Sequence, residues 1–212
     1  MPSNLLWYWD DSVQRYRGSD GRFVGVAQMQ ELREVFMKQQ KLRLENLTLQ
    51  YSNREIGFVE FQTASKLIIK DTYIDMCAMG AGGRNNLSHR DWGRIGAMVK
   101  EQYKYLRNMM GQIARGEITP RQAIARFAMY INSANEALWK ALTRDLDFNL
   151  PAYPGDGSTQ CLTNCKCEWR IEKLAWGVDA YWMLGEAEHC DDCVERSNTW
   201  NPWKWPEARR NE

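Results

Sequence analysis

Leu150-Pro151-Ala152-Tyr153-Pro154-Gly155-Asp156-Gly157-Ser158 sets two prolines and two glycines into nine residues, between a helical pattern upstream and a run of cysteines and tryptophans downstream. Proline removes a backbone donor and fixes φ, while glycine serves the dihedrals that turns require, so no helix continues through this stretch. It predicts a boundary that divides the 212 residues into 1–150 and 151–212. Charge divides at the same place. The last 62 residues carry 7 Lys and Arg against 11 Asp and Glu, a net −4, and the first 150 carry +5. Six of the ten tryptophans and five of the six cysteines also lie beyond the boundary. The chain as a whole is +1, and +5 over 150 residues is too weak to call for nucleic acid. No run of 18 apolar residues occurs, so no spanning helix is expected and no membrane partner. The first residues lack a basic segment followed by an apolar one, which predicts folding in a cytoplasm.

Upstream of the boundary, apolar residues recur at helical spacing. Met29, Leu32, Phe36, Leu42 and Leu47 form one stripe, and Ile56, Val59, Leu67, Ile68, Ile74 and Cys77 a second that stops at Gly80-Ala81-Gly82-Gly83. Ser88 with Asp91 three residues on makes a capping box for a third helix, whose stripe is Trp92, Ile95, Val99, Tyr103, Leu106, Met110 and Ile113, with Gly116 closing it. Thr119-Pro120-Arg121-Gln122 gives a fourth helix a Thr cap, a Pro at its first position and a Gln at its third, followed by Ile124, Phe127, Ile131, Ala134, Leu138 and Leu142. The expected fold is mainly α: an extended arm over 1–28, a helical body of about four helices over 29–150, and a small α+β module over 151–212. Within that module Cys167 to Leu174 alternates as a strand, Val178 to Glu188 reads as helix, and Cys190 to Thr199 as another short helix. The tail from Trp200 to Pro206 is bound by proline and must be extended.

The chemistry concentrates in Cys161-x3-Cys165-x-Cys167, followed after 22 residues by Cys190-x2-Cys193. Two close thiolate pairs joined by a strand-and-helix spacer supply four soft ligands at the corners of a tetrahedron, which suits a structural zinc with no open position. Five thiols compete for four places. Cys161, Cys165, Cys190 and Cys193 are the expected set, with Cys167 or His189 as alternates, because an extended Cys165-Lys166-Cys167 sends its two sulfurs to opposite faces. Disulfides, buried thiols and a redox pair are the other readings of such a cluster. His89 is expected on the surface of the third helix, and Asp10-Asp11 and Asp191-Asp192 as solvated acids. Gly80 to Gly83 before Arg84 reads as a hinge rather than a phosphate loop. The sequence therefore presents no catalytic constellation.

Both ends look suited to contacts. Arg15, Tyr16, Arg17, Arg22 and Phe23 interleave cations and aromatics around a Ser19-Asp20-Gly21 turn, as an extended arm or a tight hairpin able to grip an acidic groove or a nucleic-acid backbone. An ordinary solvated leader fits the same composition. Trp200, Trp203 and Trp205 join Trp169, Trp176 and Trp182 in a module with limited room, so a partner surface is expected for the last three.

Several stretches together resemble the minor head, or head morphogenesis, proteins of tailed bacteriophages. They are Arg15-Tyr16-Arg17 with Gly21-Arg22-Phe23-Val24, Gly116-Glu117-Ile118-Thr119-Pro120, Arg126 with Met129 to Ala134, and above all Pro154 to Ser158 with Cys161, Thr163-Asn164-Cys165-Lys166-Cys167 and His189-Cys190-x2-Cys193. The likeness is strong over about 60 C-terminal residues and diffuse over the helices. That family sets a Cys-x2-Cys before an Asn-Cys-Arg-Cys element, and here the order is reversed. The resemblance implies a non-enzymatic virion protein, assembled in the host cytoplasm, that touches the major capsid or portal protein or copies of itself. A zinc-containing DNA-binding, nuclease or toxin-like protein is the alternative.

Overall fold

The computed structural model describes residues 7–10, 12–13, 15–146, 148–175, 177–186 and 188–205. Asp11, Trp176 and Pro206, named above, lie outside them. The chain forms two compact units, 1–150 and 151–212, the first mainly helical and the second built around a small sheet. No helix among the described residues is long and apolar enough to cross a membrane.

The first unit opens with a hairpin rather than a free arm. Strand β1 (Trp7–Asp10) pairs antiparallel with β2 (Arg15–Gly18), and a tight turn through Gly21 brings Phe23 back against Arg17. Gly21 takes φ of 78°, a left-handed value that glycine adopts without cost. Of the two forms expected here, an extended arm over 1–28 or a tight hairpin, the described residues take the hairpin, and its anchor is Trp7. It is 2% exposed, joins the helical core and donates from Nε1 to the Met79 carbonyl at 3.0 Å.

Helix α1 (Val26–Ser52) starts after Gly25, three residues ahead of its first stripe residue, and α2 (Phe58–Ala81) follows. From Ile68 to Ala81 only Lys70, Asp71 and Asp75 of α2 escape burial, so this half is the central helix of the unit, apolar nearly all round. Buried Ser65 and Thr72 satisfy their hydroxyls on the carbonyls of Phe61 and Ile68, four residues back. The other half of α2 buries one face only, through Phe61 and Ser65, which leaves Val59 (76% exposed) and Leu67 in solvent rather than in the expected stripe. Gly82 ends α2 in the left-handed conformation, and Arg84 beyond it donates from Nε to Asp75 at 2.8 Å. The glycine run is thus a helix stop.

Helices α3 (His89–Ala114) and α4 (Pro120–Ser133) begin with the two expected capping boxes, both complete. His89 is exposed at the start of α3, and Trp92 is 45% exposed rather than part of the buried stripe. The fourth helical pattern divides: the chain turns at Ala134, and α5 (Asn135–Leu142) is a separate helix packed against α2 and α4. Its packing on α2 is close at Gly80, where a methyl group would collide with the Leu138 carbonyl and Ala141.

In the second unit, β3 (Glu168–Leu174) and β4 (Gly177–Met183) pair in register from Glu168↔Met183 to Leu174↔Gly177. Helix α6 (Asp191–Thr199) follows, and β5 (Trp203–Trp205) adds to the other edge of β4. In place of the helix expected over Val178 to Glu188 there is therefore a strand as far as Met183. Ala, Met, Leu and Glu favour helix there, but Tyr181 and Trp182 favour strand, and pairing on both edges of β4 decides the matter. The core beside the sheet is aromatic. Trp169 meets Trp182 edge-on at 5.2 Å, and Trp200 stacks on Trp169 at 5.5 Å.

Candidate metal centre

The cysteines converge from three pieces of chain. Cys161 and Cys165 flank a 3-10 turn over Leu162–Asn164, Cys167 ends the coil just before β3, and Cys190 and Cys193 belong to the N-terminus of α6. The turn through Leu162, at φ of 51°, lets the chain double back toward α6. Hydrogen bonds hold the pieces together around the sulfurs. The Gln160 amide donates to Asp192 at 2.7 Å, and Asp156 accepts from the amides of Tyr153 and Ser158, which fixes the turn of the boundary stretch. Arg196, one helical turn beyond Cys193, donates to the Ser158 carbonyl at 2.9 Å and lies 5.2 Å from the ring centres of both Trp182 and Trp200.

All five clustered sulfurs take part. They form two groups of three, Cys161–Cys190–Cys193 and Cys165–Cys167–Cys193, with every sulfur in a group within 4.8 Å of the others. Cys193 belongs to both. Its Sγ stands 4.0 Å from that of Cys161 and 3.6 Å from that of Cys165. The expected quartet of Cys161, Cys165, Cys190 and Cys193 is thus distributed over two groups, and Cys167 is a full member of one. The opposite-face argument for Cys165 and Cys167 fails because residues 165–167 are coil, and strand alternation begins only at Glu168. His189 belongs to neither group.

The thiols differ in acidity. Burial works against a Cys190 thiolate, but hydrogen bonds from the Cys161 thiol and from the backbone amides of Cys193 and Cys161 outweigh it and bring the pKa down to about 7. Cys190 is the N-cap of α6, where the helix favours negative charge. The hydrogen bond from Cys165 lowers Cys167 in the same way, against its burial. Cys161 is raised by burial and by its bond to Cys190, Cys165 by its bond to Cys167 and by burial, and Cys193 by burial and its bond to Cys165. A soft divalent ion bound here would displace these protons and be held by the sulfurs as thiolates. The donor set therefore fits a thiolate-bound metal ion.

The remaining candidates are largely engaged within their own units. Tyr16 packs against the helical core, Arg17 pairs with Asp10 at 2.6 Å, and both Arg15 and Arg17 lie 4.4 Å from the Phe23 ring centre. Arg22 projects outward, its side chain 88% exposed, beside Asp20 at 3.8 Å. Trp200 is half-buried in the tryptophan core of its own unit, edge-on to Trp182 at 5.7 Å. Trp203 and Trp205 stack on each other at 6.3 Å along β5, with Trp205 40% exposed. Sequence reasoning missed Arg196, although its three-residue spacing from Cys193 on one helix was the available signal. Set beside known proteins, the chain matches no protein family, no curated protein and no solved structure.

Proposed function

We propose that the chain is a non-enzymatic structural component of a tailed-bacteriophage virion, acting in head assembly or at the portal through protein–protein contacts, with residues 151–212 held by zinc. The observation that carries this reading is the convergence of five cysteines. The Asn164-Cys165-Lys166-Cys167 and His189-Cys190-x2-Cys193 elements, through which the sequence resembles minor head proteins, meet around one cluster of sulfurs. Thiolates alone, drawn from separate pieces of a 62-residue unit, are the donor chemistry of a structural zinc that fixes a module too small to rely on its apolar core. Arg15, Arg22, Phe23 and Trp205 are outward-facing groups that a capsid or portal protein, or another copy of the chain, would meet.

Co-expression with the portal and major capsid proteins of a tailed phage, followed by particle purification and elemental analysis, tests the proposal. The expected result is a chain that enters particles and carries zinc. A chain that stays outside particles, and instead cleaves or binds DNA in a zinc-dependent way, would establish the alternative of a DNA-binding or nuclease-like protein.

A further inference from the structure

A single tetrahedral ion needs four sulfurs at mutual distances of about 3.8 Å, since Zn–S bonds are about 2.3 Å long. Here the sulfurs form two triangles that meet at one corner, Cys193. The Cys193 distances of 4.0 Å to Cys161 and 3.6 Å to Cys165 are both edges of that size, one into each triangle. Two triangular faces with a common corner belong to two tetrahedra that share a vertex, and a thiolate sulfur has lone pairs enough to occupy such a vertex. Resting on the metal reading above, we propose that the cluster is a binuclear centre in which the Cys193 thiolate bridges two divalent ions, one held also by Cys161 and Cys190 and the other by Cys165 and Cys167.

Charge argues the same way. Four thiolates on one divalent ion leave a net −2 and a fifth thiol unused, whereas five thiolates on two ions leave −1. The smaller net charge suits a site where Cys165, Cys167 and Cys193 are buried, because unbalanced buried charge is costly. The partly exposed Cys161 and Cys190 put the first ion near solvent, which can fill its fourth position. Each ion on this account has three protein ligands, and Cys193, itself fully buried, is the one residue on which both depend.

The full-length chain, reduced and loaded with zinc, is weighed by native mass spectrometry. Two ions per chain are expected. One ion at saturation, with a thiol that still reacts with a thiol reagent, overturns the bridge and leaves a mononuclear site intact. No bound ion overturns the metal reading together with the bridge. Cys167→Ser and Cys161→Ser should each remove one ion and Cys193→Ser both, and two ions persisting in Cys193→Ser refute the bridge. Cobalt(II) gives a measurement on the unaltered protein. A sulfur bridge couples the two spins, so the paramagnetic signal should rise to one equivalent and then fall toward two. A signal that simply doubles means separate ions and overturns the proposal.

Discussion

Gly80 and the pair Gly93 and Gly96 show how the same residue type can be required or dispensable. A methyl at Gly80 would meet the Leu138 carbonyl and Ala141, whereas at Gly93 and Gly96 nothing lies within 4 Å. Gly80→Ala should therefore lower stability by about 1–3 kcal/mol through overpacking of α2 on α5. Gly93→Ala and Gly96→Ala, in the exposed interior of α3, should each raise it by about 0.5–1 kcal/mol. Denaturant titration of the three variants checks both signs. Asp91 offers a pH test. It is buried, bonds the Ser88 amide and hydroxyl at 2.9 and 2.7 Å, and faces Arg144 at 3.1 Å. Burial alone would raise its pKa, but the Ser88 hydrogen bonds and the Arg144 guanidinium prevail and hold it below the ordinary carboxylate value. A folded pKa below the unfolded value gives stability that is complete above about pH 4 and is lost as pH falls through the folded value. Asp91→Asn should cost roughly 2–4 kcal/mol at pH 7, and the gap between it and the unaltered chain should narrow in acid. A gap that stays constant down to pH 2 would contradict this assignment.

The elements differ in how plainly the sequence announces them, and the differences have physical causes. Helix starts were legible because a capping box is a local device: Ser88 with Asp91 and Thr119 with Gln122 satisfy their own backbone donors. Thr119→Ala should accordingly cost about 1 kcal/mol in thermal denaturation. The break at Ala134 was not legible, since apolar spacing continues across it and only packing on α2 and α4 divides the helix. Strand β4 was misread for a related reason, as pairing on both edges overrides local preference. The five cysteines were found at once from their spacing, but their grouping depends on a coil at 165–167 that alternation rules cannot anticipate. The tight turn at Ser19-Asp20-Gly21 is legible in the sequence, but the strand β1 that pairs with β2 ahead of it is not. Nothing in its neighbours marks Trp7 as core, yet its indole closes over α2 and bonds Met79. Trp7→Ala should cost about 3–5 kcal/mol. Removing the hairpin should thus weaken the helical unit itself, whereas an arm that only met partners would leave its melting unchanged.

At the scale of the whole molecule, each of the two units is stabilised internally by different physics. The first buries long helices around α2, with Phe61, Ile69, Tyr73 and Met76 almost wholly inside, and has an apolar core large enough to stand alone. The second spans 62 residues, and its described residues form a three-stranded sheet, a nine-residue helix and a tryptophan core. Its sulfur cluster ties the 3-10 turn, the start of β3 and the start of α6 to one another, so an ion there contributes folding free energy directly. Stripping metal with a strong chelator should therefore unfold residues 151–212 and leave 1–150 folded. Two optical signals separate the units. Far-ultraviolet circular dichroism is dominated by the helices of the first unit and should fall only slightly. The near-ultraviolet signal of the packed Trp169, Trp182 and Trp200 should collapse, because free indoles average it away. Cys193→Ser should reproduce the chelated state without a chelator. Simultaneous loss of both signals would mean that the units fold as one cooperative body, and an unchanged indole signal would mean that the tryptophan core holds the second unit without metal.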